Sequence, residues 1–288
     1  MDDEEVRSAL RTVHLEPTSV RPILGGWASW TYSLDEQVIV RFPRTEAVAD
    51  ATRRELALLP ELARHAPFAV PAPSHLGTWH DRPFFAYPLI VGRGLRPADG
   101  SPALLRHLQG MLAALHSFPV DRAATLLGTG PPTTAWRRHL DRLWPIVEEH
   151  AVPVIPGPLA TRVHGAFEAF LSEVDGLPSS LVHNDLGLEH LLVDEQGTEL
   201  VGIIDFEDAT IGDPAVDLVP LRAAFGPDAL PRLLPDDGLG DRLPERLHFY
   251  RWMGSIHAIV YGVTQGVPAE VEHGLRELRR RFEAPLDP

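Results

Sequence analysis

The chain has 288 residues, with 40 acidic and 26 basic side chains, a formal net charge of -14 and no cysteine. Disulfides, thiolate chemistry and cysteine-held metals are thereby excluded, and so acidic a surface repels nucleic acid and anionic membranes while attracting cations. No run of 18 apolar residues occurs, and the acidic start MDDEEVRSAL is unlike a basic secretory leader, so the expected setting is the cytoplasm.

The length suffices for one large domain or for two lobes. Residues 1–16 predict a short helix that Pro17 closes off, and 20–24 a first strand. Gly25 and Gly26 then form a turn leading through Ser29 into a second strand. Backbone N–H groups and the Ser29 hydroxyl could fold over phosphates there, although neither Gly-x-Gly-x-x-Gly nor a Walker lysine is present. Residues 37–42 alternate as a strand that carries Arg41 among apolar neighbours, and a base so placed needs an anionic partner. Residues 46–62 repeat apolar positions at helical spacing (Val48, Ala51, Leu58, Leu59, Leu62), with Glu55 as the natural partner of Arg41. Residues 75–79 and 83–90 flank His80, Asp81 and Arg82 as a hairpin, which completes a mainly antiparallel five-stranded lobe. Residues 92–100 have the polar composition of a linker.

Beyond residue 100 the apolar period becomes 3.6. Helices are predicted over 103–118, over 134–149 with Trp136, Leu140, Leu143 and Trp144 inward despite a break at Pro145, and over 159–174; 126–134 reads as a loop. The short apolar runs 191–193 and 200–204, joined by a turn at 195–197, predict a hairpin. His183 and Asp185 enter it, His190 lies at its mouth and Asp205 leaves it, so the hairpin can bring these polar groups to one end. Asp213 and Pro214 mark a helix start, with Asp217 one turn on. Residues 227–241 predict an acidic loop or short helix pair, and 242–263 and 269–282 long helices with Phe249, Tyr250, Trp252 and Tyr261 chiefly in the core.

Three segments resemble the core of the aminoglycoside and macrolide phosphotransferases, enzymes of the protein-kinase-like fold. They are His183-Asn184-Asp185 with His190 five positions after the aspartate, Ile203-Ile204-Asp205-Phe206, and Gly212-Asp213-Pro214-Ala215-Val216-Asp217-Leu218. The resemblance implies an α+β bilobal fold, with a small antiparallel-sheet nucleotide-binding lobe over residues 1–91, a hinge at about 87–92 and a larger, mostly helical lobe over 92–288. It places the acceptor hydroxyl on Asp185, magnesium on His190 and Asp205, and nucleotide phosphates on Arg41, held by Glu55. By the same resemblance Gly25, Gly26 and Ser29 form the phosphate loop, Tyr87 and Leu89 lie in the base-recognising hinge, and His183, Asp213 and Asp217 are structural support. Most kinases have Asn where this chain has His190; the same departure occurs in macrolide kinases and some aminoglycoside kinases, and imidazole is a poorer partner for a hard cation.

The activity so implied is a magnesium-dependent transfer of the terminal phosphoryl group of ATP or GTP to a hydroxyl. The expected partner is a cationic small molecule, bound by a monomer that engages neither nucleic acid nor membrane. Candidate acceptor-binding acids are Asp236, Asp237 and Glu270, with Glu207 and Asp208 nearer the phosphate. They favour an aminoglycoside over a macrolide or another amino alcohol. An inactive nucleotide-binding module of the same fold is the rival class.

Overall fold

The structure, a computed structural model, describes residues 1–24, 28–234 and 239–283. Gly25, Gly26, Asp236 and Asp237 lie outside the described residues. The chain opens with α1 (Asp3–Arg11), started by a reciprocal cap in which Asp2 accepts the Glu5 N–H at 2.9 Å and Glu5 accepts the Asp2 N–H at 3.0 Å. There follow β1 (Val20–Ile23), β2 (Ser29–Leu34), β3 (Val38–Pro43), α2 (Glu46–His65), β4 (His75–Trp79) and β5 (Arg82–Pro88). The strands form the five-stranded antiparallel sheet expected, in the order β1-β2-β3-β5-β4.

The period of two along β3 sorts its side chains onto two faces. Val40 and Phe42 join Val6, Ala9 and Leu10 of α1 in one core, where Phe42 stacks on Phe84 with ring centres 4.7 Å apart. Arg41 therefore emerges on the opposite face, where α2 lies. That helix buries Leu58, Leu59 and Leu62 completely, each stabilising by about 2 kcal/mol, so the position of Glu55 among them is fixed by packing.

The chain continues through β6 (Arg93–Gly94), α3 (Pro102–His116), α4 (Val120–Leu127), α5 (Pro132–His150), α6 (Gly157–Leu171), β7 (Ser180–Val182), β8 (Leu191–Val193), β9 (Leu200–Ile203) and β10 (Thr210–Gly212). It ends with α7 (Leu218–Phe225), α8 (Leu230–Leu233), α9 (Leu243–Gln265) and α10 (Pro268–Glu283). Two compact units result, one comprising Met1–Phe118, Thr125–Gly128 and Asp185–Ala209, the other Pro119–Ala124, Thr129–Asn184 and Thr210–Pro288.

Within the first unit, β6, β8 and β9 make a second antiparallel sheet. The polar stretch 92–100 is thus more than a linker. Its Arg93 pairs with Val193 across the ladder, and its guanidinium grips Asp99 with two bonds of 2.8 Å. The turn between β8 and β9 requires glycine at 197, where φ is +69° and a Cβ would lie 2.5 Å from the Arg93 guanidinium and 2.6 Å from the Asp99 carboxylate.

Within the second unit, β7 and β10 pair antiparallel, Leu181 opposite Ile211. Gly212 at the end of β10 lies under the Trp136 indole, which a Cβ would meet at 2.5 Å. Three expectations change here. The helix α4 runs to Leu127, into the stretch read as loop, and α5 continues through Pro145 instead of breaking there. Tyr261 is 37% exposed, unlike Phe249, Tyr250 and Trp252, which are buried as expected.

Candidate active site

The first unit gathers a chain of charges around Arg41. Its Nη1 donates to Glu55 of α2 at 3.1 Å, and its Nη2 donates to Asp205 and to Glu207, each at 2.9 Å. Burial opposes the Arg41 charge, but Glu55, Asp205 and Glu207 outweigh it and hold the guanidinium protonated far above any accessible pH. Burial likewise pushes the Glu55 carboxyl up while Arg41 pulls it back, and the Phe206 backbone N–H adds a bond to it. Glu207 is pushed up to about 7, chiefly by desolvation, with Arg41 opposing and Asp205 and Glu55 adding.

Asp205 reaches this cluster because β9 ends at Ile203 and the chain turns sharply. The Ile204 N–H is donated to the His190 carbonyl at 3.0 Å, and Asp205 itself is left-handed at φ 70°. A short polar side chain tolerates that conformation better than a branched one. The turn of Phe206–Asp208 follows, anchored by Phe206 at 1% exposure.

His190 and Asp185 face the same place from the start of the hairpin. His190 Nδ1 lies 2.7 Å from the Asp185 carbonyl, an acceptor, so Nδ1 is the donor in this contact. Nε2 lies 3.6 Å from Asp205 Oδ2, and Nδ1 3.9 Å from Asp185 Oδ2. The Asp185 carboxyl is pushed up to about 6, first by desolvation, with His190 pulling it down and Asp208, Asp205 and Glu189 adding to the rise.

Other expected residues fall in the first unit as well. Ser29 opens β2, and its Oγ is buried without a hydrogen-bond partner among the described residues. Tyr87 pairs with Ile39 in the sheet, and its buried phenol is pushed up, chiefly by desolvation. Leu89 is 38% exposed and gives its N–H to the Gln37 carbonyl at 2.7 Å.

The second unit holds the supporting acids. Asp217 accepts the His183 N–H at 3.0 Å and the Asn184 N–H at 2.9 Å, fixing the backbone immediately before Asp185, where Asn184 is left-handed at φ 68°. Asp213 caps Ala215 at 3.0 Å and is fully buried against Arg246, whose Nε donates at 2.8 Å and whose Nη2 makes a second, shorter bond. Tyr250 donates to the same carboxylate at 2.8 Å, and Trp136 donates to the Tyr250 oxygen at 2.9 Å. Arg246 was missed in the sequence. Its signal is an arginine four positions before Tyr250, on the same face of α9.

Asp205 Oδ2 and His190 Nε2, 3.6 Å apart, can share one cation. Among the described residues no group of three or more His, Asp or Glu side chains forms a complete metal cage. The orphaned Ser29 hydroxyl and the Arg41 guanidinium are donors of the kind a phosphate needs.

Comparison with solved structures gives the fold first. The GDP and kanamycin complex of the aminoglycoside phosphotransferase APH(2″)-IIIa is similar with a TM-score of 0.83 at 22% identity, covering 96% of this chain and 98% of that one. The macrolide 2'-phosphotransferase MphH from Brachybacterium faecium is similar with a TM-score of 0.67 at 24% identity, covering 100% of both. The fold is accordingly α+β and of the bilobal protein-kinase-like kind. The sequence profile of the phosphotransferase enzyme family matches residues 19–250, and the chain belongs to that family. Among curated proteins, viomycin phosphotransferase from Streptomyces vinaceus is 32% identical over 118 residues, 39% of this chain. The match spans 41% of that relative's length.

Proposed function

We propose that the chain is a magnesium-dependent small-molecule kinase that transfers the terminal phosphoryl group of ATP or GTP to a hydroxyl of an aminoglycoside. The observation that carries this reading is the placement of Asp185, His190 and Asp205 at one end of the β8–β9 hairpin, with Arg41 and Glu55 linked to Asp205. Residues 1–91 act as the nucleotide-binding lobe, with Ser29 toward the phosphates and the backbone of Tyr87 and Leu89 toward the base. Asp205 and His190 would hold magnesium, which would screen phosphate charge. Asp185 takes the acceptor proton as the acceptor oxygen bonds to the terminal phosphorus. The bond from that phosphorus to the bridging oxygen breaks, and the nucleoside diphosphate leaves. Arg41, fixed by Glu55, takes phosphate charge. Positioning and charge neutralisation account for most of the rate in such a reaction.

The protein works as a monomer in the cytoplasm; among the described residues no helix is long and apolar enough to cross a membrane. The GDP and kanamycin bound by the similar enzyme and the charge of -14 support a cationic acceptor. The full-length likeness to a macrolide enzyme and the imidazole at position 190 favour a second reading, a macrolide 2'-phosphotransferase. The two separate in kcat/KM measured for aminoglycoside and macrolide panels, with viomycin included, from low salt to about 0.5 M salt. Charge pairs are screened over this range. The expected result is magnesium-dependent phosphorylation of aminoglycosides whose efficiency falls steeply with salt. Efficient, salt-insensitive turnover of macrolides alone would select the second reading. No product from any acceptor, with nucleotide still bound, would leave a binding module.

His190 gives a narrower test. His190→Asn supplies an amide oxygen and is expected to keep metal-dependent turnover. His190→Ala removes the ligand and should raise the magnesium concentration needed for half-maximal activity by about tenfold or more. Identical magnesium titrations for the wild type and both variants would make His190 a loop support through its 2.7 Å contact to the Asp185 carbonyl.

A further inference from the structure

Glu207 stands two residues beyond Asp205, on the short turn Phe206–Asp208, and its place on Arg41 has a cost for nucleotide entry. A guanidinium Nη carries two hydrogens. Those of Arg41 Nη2 are taken by Asp205 Oδ1 and Glu207 Oε2, both at 2.9 Å, while Nη1 serves Glu55. A phosphate oxygen can reach Nη2 only when one of the two carboxylates withdraws. Asp205 has a side chain 40% exposed and faces His190, whereas the Glu207 side chain is only 14% exposed and rests against Arg41. Its turn is held in place by buried Phe206, whose N–H is bonded to Glu55.

We propose that Glu207 is a positioning residue that occupies the phosphate-facing edge of Arg41 and gives it up only when a divalent cation arrives with the nucleotide, so that metal-free nucleotide is excluded. The inference rests on the functional reading above, because it requires Arg41 to take phosphate charge. Its physical basis is charge. A metal-free diphosphate entering beside Asp185, Asp205, Glu207 and Asp208 adds negative charge to a cluster of carboxylates already gathered around Arg41, and like charges repel. A cation beside Asp205 reverses that balance and frees the glutamate to turn away.

Calorimetric titration of ADP and GDP into the full chain tests this, in EDTA and in magnesium, for the wild type, Glu207→Gln and Glu207→Ala. Both variants are expected to bind metal-free nucleotide about tenfold tighter or more, while Kd in magnesium stays within about threefold, so that the magnesium dependence of binding shrinks. Placing Glu207→Gln on an Arg41→Met background should abolish the gain, which a purely structural role for Glu207 would not predict. An unchanged metal-free Kd in both variants overturns the proposal. Weaker binding in magnesium with no gain in EDTA also overturns it and makes Glu207 a cation ligand. If the wild type binds neither nucleotide even with magnesium, the functional reading falls and takes this inference with it. Wild-type binding with unaltered variants removes the inference alone.

Discussion

Asp185→Asn is expected to lower turnover by about 10²-fold or more while leaving nucleotide affinity almost unchanged. The substitution preserves shape and removes the negative acceptor of the hydroxyl proton. Stability supplies the control. The Asp185 carboxyl is pushed up to about 6 from an ordinary 3.8, so its charged form is the one the fold disfavours. A carboxyl with a raised folded value weakens the native state as pH rises through that interval, and carries no such penalty below it. With 61% of the side chain exposed, solvent screens much of the effect. Asp185→Asn should therefore melt no lower than the wild type at pH 8, and any loss of rate belongs to chemistry. A variant that keeps most of its turnover would remove Asp185 from the proton-accepting role.

Arg246→Ala is expected to cost about 3–5 kcal/mol of stability, because it leaves the Asp213 carboxylate buried without its cation. Tyr250 and the Ala215 N–H remain as hydrogen-bond donors, but neither carries a charge. Urea unfolding monitored by tryptophan fluorescence measures the loss, and Trp136, bonded to Tyr250 at 2.9 Å, reports from within the network. The pair of changes Asp213→Asn and Arg246→Met should recover part of that stability by removing both charges while keeping most of the volume. A loss below about 1 kcal/mol for Arg246→Ala would show that the pair contributes little.

The β8–β9 hairpin was legible because its residues meet over short distances in sequence. Asp185 and His190 are five apart, and two apolar runs bounded by a glycine turn predicted how Asp205 returns to them. Arg41 and Glu55 were legible for a related reason: a lone base in an apolar strand and a lone acid in an apolar helix must find one another. The strands β6, β7 and β10 were not, since two or three residues show no periodicity and their pairing depends on partners far along the chain. Arg93 disguised β6 further, because its charge is spent on Asp99 within the turn that follows. The helix α4 failed for brevity, and Pro145 because proline is a poor guide where neighbouring packing keeps a helix going. Glu207 was visible only as an acid near the phosphates. Its bond to Arg41 spans 166 positions, and no local pattern announces it.

The first compact unit is built from separated stretches of chain, with Asp185–Ala209 returning to residues 1–118 after a long excursion. Inheritance by recombination is constrained accordingly. A crossover near residue 100 would bring in a foreign Arg41 and Glu55 while leaving the native Asp205 and Glu207 to meet them, so the donor and the carboxylates that grip it would come from different parents. Functional chimeras of such enzymes should therefore exchange the first hundred or so residues together with the 185–209 segment, and single-crossover hybrids should be rare among active clones even when both parents are fully active.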